Sequence, residues 1–162
     1  MQYSTIEIPT DLDSIKQTAE KAFSATPDAN LEKWFSFPEM EQMIKQKRGI
    51  CIKAIDETGE IVGMIYAQQE NPINGQEGLE KWVINIIAVN PNVSGKGIGS
   101  GLLSAIENTA KERGCIKMFV YTNKNDKDIN NFYKKNSYED AGWIRDYQYG
   151  ENNSAVFLLK YL

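Results

Sequence analysis

Gly95, Gly97, Gly99 and Gly101 stand at alternate positions between an apolar run and an amphipathic one. The run ahead of them, Ile84 to Val89, reads INIIAV and breaks at Asn90-Pro91. The run behind, LLSAIENTAKERG, has helical periodicity and closes on Gly114. Strand, glycine turn and helix in that order aim backbone N–H groups and the positive end of a helix dipole at one point. An anion suits that point, so the chemistry implied is the holding of a phosphate-bearing cofactor for group transfer.

What is missing narrows the chemistry further. The chain has no histidine, which removes Ser-His and Cys-His nucleophile pairs and histidine-based metal sites, and no metal is expected. A general base must then be a carboxylate, water, lysine, tyrosine or a free amine. Cys51 and Cys115 each sit in an apolar run without a CxxC pattern, and read as reduced, buried thiols. A formal charge of −4 argues against general nucleic-acid binding. No stretch approaches the roughly 18 apolar residues of a membrane helix, and MQYSTIEIPTD lacks the layout of a signal peptide. The expectation is a cytoplasmic protein that uses neither nucleic acid nor membrane.

Three glycine-loop types compete for residues 90–103. The P-loop pattern fails because Lys96 is followed by Gly97 and no glycine lies five residues before Gly95. The dinucleotide pattern GxGxxG also fails, since Gly95 and Gly97 lead to Ser100, and Gly97 and Gly99 lead to Leu102. Its strand normally opens a βαβ domain, whereas three strands precede this one. What remains is a strand followed by AVNP, three residues, and GKGIGSGLL.

The elements that must position this loop follow from periodicity. Tyr3 to Ile8 alternates as a strand, and Thr10 is placed to cap a helix carrying Leu12, Ile15, Ala19, Ala22 and Phe23. Ser24 to Asn30 is a polar break containing Pro27, and residues 31–48 look helical again, with Ser36 ahead of a short helix. Trp34, Phe35 and Phe37 suit a core, or a wall facing a substrate. ICIKAID and EIVGMIYAQQEN form an antiparallel pair about Glu57-Thr58-Gly59, and residues 71–78 are a loop. Trp82 to Val89 and Cys115 to Thr122 flank the glycine loop and its helix, which favours a parallel pair. Ile129, Phe132 and Tyr133 share one face of a short helix, and Tyr138–Tyr149 with Ser154–Tyr161 read as a terminal hairpin. No linker or repeat divides the 162 residues, so residues 1–162 are expected to form a single α/β domain.

Residues 82–138 closely resemble motif A and the following segment of the GNAT superfamily of N-acetyltransferases. The loop pattern [Arg/Gln]-x-x-Gly-x-[Gly/Ala] falls on Ser94-Gly95-Lys96-Gly97-Ile98-Gly99, with Ser94 departing at the first position. NDKDINNFYKKNSY, Asn125 to Tyr138, resembles Asn-x-x-Ala-x-x-(Phe/Leu)-Tyr-x-x-x-Gly-Phe, with Ile129 for the small residue and Ser137-Tyr138 for Gly-Phe. The order of elements along the whole chain also matches.

The resemblance implies an α+β mixed seven-stranded sheet flanked by about four helices and splayed at its central β4/β5 pair. It implies acetyl-CoA as cosubstrate. The pyrophosphate would take the N–H groups of Ser94, Gly95, Lys96, Gly97, Ile98, Gly99 and Ser100, with Lys96 and Lys111 either adding charge or simply solvated. Ile87, Ala88 and Val89 would pair with the pantetheine arm, and Phe132 with Asn125 or Asp126 would face the cofactor. Tyr133 would act as general acid toward the departing thiolate, or else pack as an apolar ring beside Phe132. Glu80 and Glu77 are the carboxylates near the central strand that suit a base, and Asn85 suits the orienting of water or substrate. The acceptor would be a small-molecule amine or a peptide or protein amine, and such folds commonly form homodimers. The alternative is a non-catalytic acyl-CoA-binding or regulatory module of the same fold.

Overall fold

The structure, a computed structural model, describes residues 1–26, 30–70, 80–147 and 151–162. Its first half runs β1 (Gln2–Thr5), α1 (Leu12–Phe23), α2 (Phe37–Lys45), β2 (Gly49–Ile55), β3 (Ile61–Gln69) and β4 (Lys81–Val89). The second half runs α3 (Ile98–Glu112), β5 (Lys117–Asn123), α4 (Lys127–Lys135), β6 (Glu139–Ile144) and β7 (Ala155–Tyr161). The strands form one sheet in the order β1-β2-β3-β4-β5-β7-β6. Every neighbouring pair is antiparallel except β4 and β5, which are parallel and joined through α3.

Two apolar layers hold the helices to the sheet. On one face Ile98, Leu102, Leu103, Ile106 and Ala110 of α3 and Tyr133 of α4 pack on Ile50, Ile52, Ile65, Trp82, Ile84, Met118, Val120 and Leu158. On the other, Ile15 and Ala19 of α1 and Met40 and Met43 of α2 pack on Cys51, Met64, Tyr66, Ile86 and Ala88. Strands β2 and β3 are thus covered on both faces, which is why they read as near-continuous apolar runs. Both cysteines are free and buried as expected, and burial pushes the Cys115 thiol up to about 11.

Local chemistry differs from the sequence reading at three places. Strand β1 ends at Thr5, with only the Ile6 N–H still reaching the Cys51 carbonyl at 3.1 Å. Asp11 rather than Thr10 precedes α1, and it makes no side-chain cap. Its carboxylate instead accepts from the Glu7 N–H at 2.7 Å and from Lys53 Nζ at 2.6 Å, tying the turn to β2. The segment 31–48 is not one helix. A single 3-10 turn, Leu31–Lys33, is followed by a break and then α2, with Ser36 capping the Glu39 N–H. Phe35 is buried against Tyr66, whereas Trp34 stays about half exposed. Pro27, the loop 71–78 and the tip of the terminal hairpin at residues 148–150 lie outside the described residues.

Candidate active site

The central strand changes face halfway along. In the pairing of β3 with β4, Tyr66 stands opposite Ile86 and Ala67 opposite Ile84, so Asn85 is an extra residue in β4. Such a bulge shifts the alternation by one. Trp82 and Ile84 therefore face α3, whereas Ile86 and Ala88 face α1 and α2, and Ile87 and Val89 turn back toward the α3 side. Asn85 itself is exposed.

The same strand loses its parallel neighbour at this level. Lys81, Trp82 and Val83 pair with Lys117, Met118 and Phe119, and no pairing of β4 with β5 continues beyond them. The Asn90 N–H donates to the Val62 carbonyl of β3 at 2.8 Å. Alternation then directs the N–H and C=O groups of Ala88 toward β3 and those of Ile87 and Val89 into the gap. An open edge in the middle of a sheet is a place where an extended ligand can pair with the backbone.

Immediately after β4, Pro91–Val93 make one 3-10 turn and the glycine loop follows. Gly95 and Gly97 both have left-handed backbone, φ +79 and +77, a conformation glycine adopts without strain. An added Cβ meets nothing at either position, so conformation and not crowding requires glycine there. Gly99 and Gly101 answer to packing instead. A Cβ on Gly99 would lie 3.2 Å from the Phe132 ring, and one on Gly101 would lie 2.1 Å from the Tyr3 hydroxyl. Gly97 precedes α3 without any side-chain cap, and no acidic residue stands in the first turn. From Gly95 through Ser100 no backbone N–H donates a hydrogen bond among the described residues, and the first helical bond is Gly101 N–H to Gly97 C=O at 3.0 Å. A left-handed turn running into a helix N-terminus with free donors is an anion cradle. Lys96 is exposed beside it, as is Lys111 further along α3.

Helix α4 is fastened over the far end of β5. Asp126 caps it by accepting from the Ile129 N–H at 3.1 Å, while the Asn125 N–H donates to Asn123 Oδ1 at 2.8 Å. Asn130 receives the Thr122 hydroxyl and sends its own amide to the carbonyls of Asn123 and Lys124 at 3.1 and 3.3 Å. Phe132 packs at Gly99 near Ile87, and Tyr133 lies beside it at a centroid distance of 5.1 Å. Tyr133 is buried, burial pushes its phenol above the ordinary range, and its hydroxyl has no hydrogen-bond partner among the described residues.

The structure thus gathers Ile87, Val89, the loop 95–100 and Phe132 about one gap, with Asn85 at its mouth and Tyr133 buried beside Phe132. It does not bring Glu80 there. That residue precedes β4, its carbonyl accepts the Ile116 and Lys117 N–H groups, and it lies about 17 Å along the strand from Asn85 at ~3.4 Å per residue. Glu77 lies outside the described residues. Asp126 spends one carboxylate oxygen on its own helix. Asn130 was invisible as an anchor because nothing in its spacing distinguishes it from Asn131; only the fold sets it against Thr122. Two shallow surface clefts of about 290 and 310 Å³ lie along β6 and include none of the loop residues.

The profile of the acetyltransferase (GNAT) family matches residues 12–138, which includes the bulged strand, the loop and α4. The chain belongs to the GNAT acetyltransferase family. A curated relative, the uncharacterized protein YdhI of Bacillus subtilis (strain 168), is 31% identical over 88 residues. That match takes in 54% of this chain and spans about half the length of the relative, 49%. Among solved GNAT-like structures, the ribosomal-protein-alanine N-acetyltransferase from Brucella melitensis superposes with a TM-score of 0.81 over 100% of both chains at 18% identity. Aminoglycoside 6'-acetyltransferase type Ii superposes with a TM-score of 0.77 at 21% identity, covering 99% of this chain and 97% of that one. An aminoglycoside 6'-N-acetyltransferase complexed with coenzyme A gives 0.76 at 18% identity, with the same coverage of 99% and 97%. At such identities the likeness is one of fold, and the mixed sheet splayed at β4 and β5 is the GNAT fold.

Proposed function

We propose that this GNAT-family chain is an acetyl-CoA-dependent N-acetyltransferase that moves an acetyl group to a primary amine by direct attack on the thioester. The observation that carries the reading is the run of N–H groups from Gly95 to Ser100 without a hydrogen-bond partner among the described residues, at the end of a strand whose own edge has opened. The residues present fit the cosubstrate: free donors and a helix N-terminus for a pyrophosphate, and the groups of Ile87 and Val89 for the amides of an extended arm. Ser94 adds no side chain to the cradle, because its hydroxyl is spent on the Pro91 carbonyl at 3.0 Å. Bound acetyl-CoA supplies an acetyl group already activated as a thioester.

The remaining work falls to the chain's own residues. An N–H of the open β4 edge polarises the acetyl carbonyl and holds it in place. Tyr133, beside Phe132, donates its hydroxyl proton toward the departing sulfur. Asn85 orients a water that receives the proton of the incoming ammonium, since Glu80 is too far along the strand for direct contact. Phe132 walls the gap on the α4 side, and Asp126 supports it by capping that helix while Asn125 flanks the cofactor. The acceptor is a small amine or an amine on a peptide or protein, in keeping with what the names of the structural relatives say of those proteins.

The test is a thermal melt with CoA, paired with thiol release from acetyl-CoA on adding amines. CoA is expected to raise the melting temperature where ATP and NAD do not, and Gly97→Glu is expected to abolish that shift by setting a carboxylate in the cradle. Gly97→Asn, which tolerates the left-handed backbone, separates the charge from the conformation. A wild-type protein that CoA does not stabilise defeats the reading. Stabilisation without turnover of any amine would make the chain a non-catalytic acyl-CoA-binding module, a form that Ser94 and the departures in the second motif permit and that Tyr133 argues against.

A further inference from the structure

Among the described residues, no helix packs on the second face of the C-terminal half of the sheet. Helices α1 and α2 cover that face over β2, β3 and the end of β4, and their cover stops at the Asn85 bulge. Beyond it lie three rings in mutual contact. Tyr121 and Tyr147 are 5.2 Å apart between centroids, Tyr147 and Phe157 5.3 Å, and Tyr121 and Phe157 5.7 Å. Tyr121 and Tyr147 remain 41% and 48% exposed. Large rings left in contact with water on an uncovered sheet face mark a binding surface more often than scattered single ones do.

Register places this cluster at the reaction gap. Val83 pairs with Phe119, the last rung between β4 and β5. Because those strands are parallel, Tyr121 stands across the opening from Asn85, about 7 Å beyond that rung. Met118 and Val120 face α3, so alternation along β5 turns Tyr121 onto the opposite sheet face, and Asn85, exposed at the bulge, stands level with it across the gap. A molecule that enters the gap from this side passes over Tyr121 and the rings behind it.

Among the described residues, charges near the rings in sequence include Lys117, four residues before Tyr121 on β5, and Arg145 and Asp146 ahead of Tyr147. Burial and the neighbouring Tyr147 phenol push the Tyr121 phenol upward, with no carboxylate or cation acting on it. Asp146, next to Tyr147, spends a carboxylate oxygen on the Asn152 N–H at 2.9 Å. Glu139 lies at the outer edge, opposite Leu159. A polycation finds few partners there, whereas a flat apolar body with one ammonium finds ring surface for both parts.

We propose that Tyr121, Tyr147 and Phe157 form the acceptor's platform, and that the acceptor is a primary amine joined by a short alkyl arm to an aromatic ring. The proposal rests on the acetyltransferase reading and adds the acceptor class to it. The test compares phenethylamine, hexylamine, spermidine and an aminoglycoside as acceptors, following thiol release from acetyl-CoA. Phenethylamine should exceed spermidine and the aminoglycoside in kcat/KM by at least about tenfold, the effect of burying one ring. Tyr121→Ala and Phe157→Ala should raise KM for phenethylamine by a similar factor with kcat nearly kept and the CoA melting shift intact. Tyr121→Leu, which keeps an apolar side chain, should fall between. The proposal is overturned if spermidine or the aminoglycoside is preferred, or if hexylamine serves as well as phenethylamine. It is also overturned if the variants leave KM unchanged, or if Tyr121→Ala turns a dimer into a monomer. Any of these with a normal CoA shift leaves the acetyltransferase reading standing; absence of the shift in the wild type removes that reading instead.

Discussion

Tyr133 has exchanged water for rings: Phe132 on one side at 5.1 Å and Tyr138 on the other at 5.4 Å. Burial alone pushes its phenol upward, so at neutral pH it keeps its proton and acts as a hydrogen-bond donor to negative charge that develops nearby. Tyr133→Phe preserves the ring contacts and removes only that donor. It should lower kcat by about a hundredfold, a usual scale for a lost acid, and leave the CoA melting shift unaltered; equal turnover would move the acid role elsewhere. Asn85 is the counterpart at the mouth of the gap. As the one polar residue among isoleucines it was conspicuous in the sequence, yet that signal says only that the position is not core. That it is the bulged residue, and stands level with Tyr121 across the gap, depends on the register with β3 and β5, which no local pattern encodes.

The helices show where local chemistry was readable and where it was not. Helix α3 was legible at its C-terminal end, where Gly114 has left-handed backbone, but it starts at Ile98, one turn before the LLSAIEN periodicity, because Gly97 turns the chain directly into the helix. Helix α4 ends on Ser137 at φ +69, where the family pattern has glycine. Serine bears strain there, so Ser137→Gly should stabilise by about 0.5 to 1 kcal/mol, a few degrees in Tm by calorimetry. Loss of stability would mean that the hydroxyl does more than its backbone suggests. Gly101 was read with the loop glycines, but the fold gives it a different duty: it lets the Tyr3 ring of β1 lie against α3. Gly101→Ala should cost about 1 to 3 kcal/mol by overpacking, and adding Tyr3→Ala should recover much of it. Additive losses in chemical denaturation would disprove the contact. The short helix after Ser36 was legible, but residues 31–35 looked helical because Leu31, Trp34 and Phe35 keep helical spacing, and only a 3-10 turn forms there. Phe35 instead turns inward to Tyr66, a partner about thirty residues away that periodicity cannot see.

At the level of the whole molecule, burial acts on several acids at once. The phenols of Tyr66, Tyr133 and Tyr138 and the thiol of Cys51 all lie above their ordinary ranges, with desolvation the leading cause in each. Folded-state values raised above the unfolded ones mean that the unfolded chain loses its protons first as pH rises. Their contribution is therefore whole below the ordinary thiol and phenol range and declines above roughly pH 9 to 10. Stability should fall steeply on the alkaline side, with phenolate absorbance rising together with the unfolding signal; ionisation of these phenols without unfolding would contradict their burial. The parallel β4/β5 pair was legible from crossover length and the seven-stranded splayed sheet from the family resemblance, while the insertion of β7 between β5 and β6 was not, because a terminal hairpin can join a sheet by either strand. One feature of that sheet reaches further. Three rungs at Lys81–Val83 join β1–β4 to β5–β7–β6, so the domain is two leaves stitched along a short seam. Amide hydrogens of the two leaves should exchange with different protection, the seam being the place where sub-global opening starts. A ligand pairing with β4 in the gap acts as an added stitch, and deuterium uptake should slow in both leaves together when it binds.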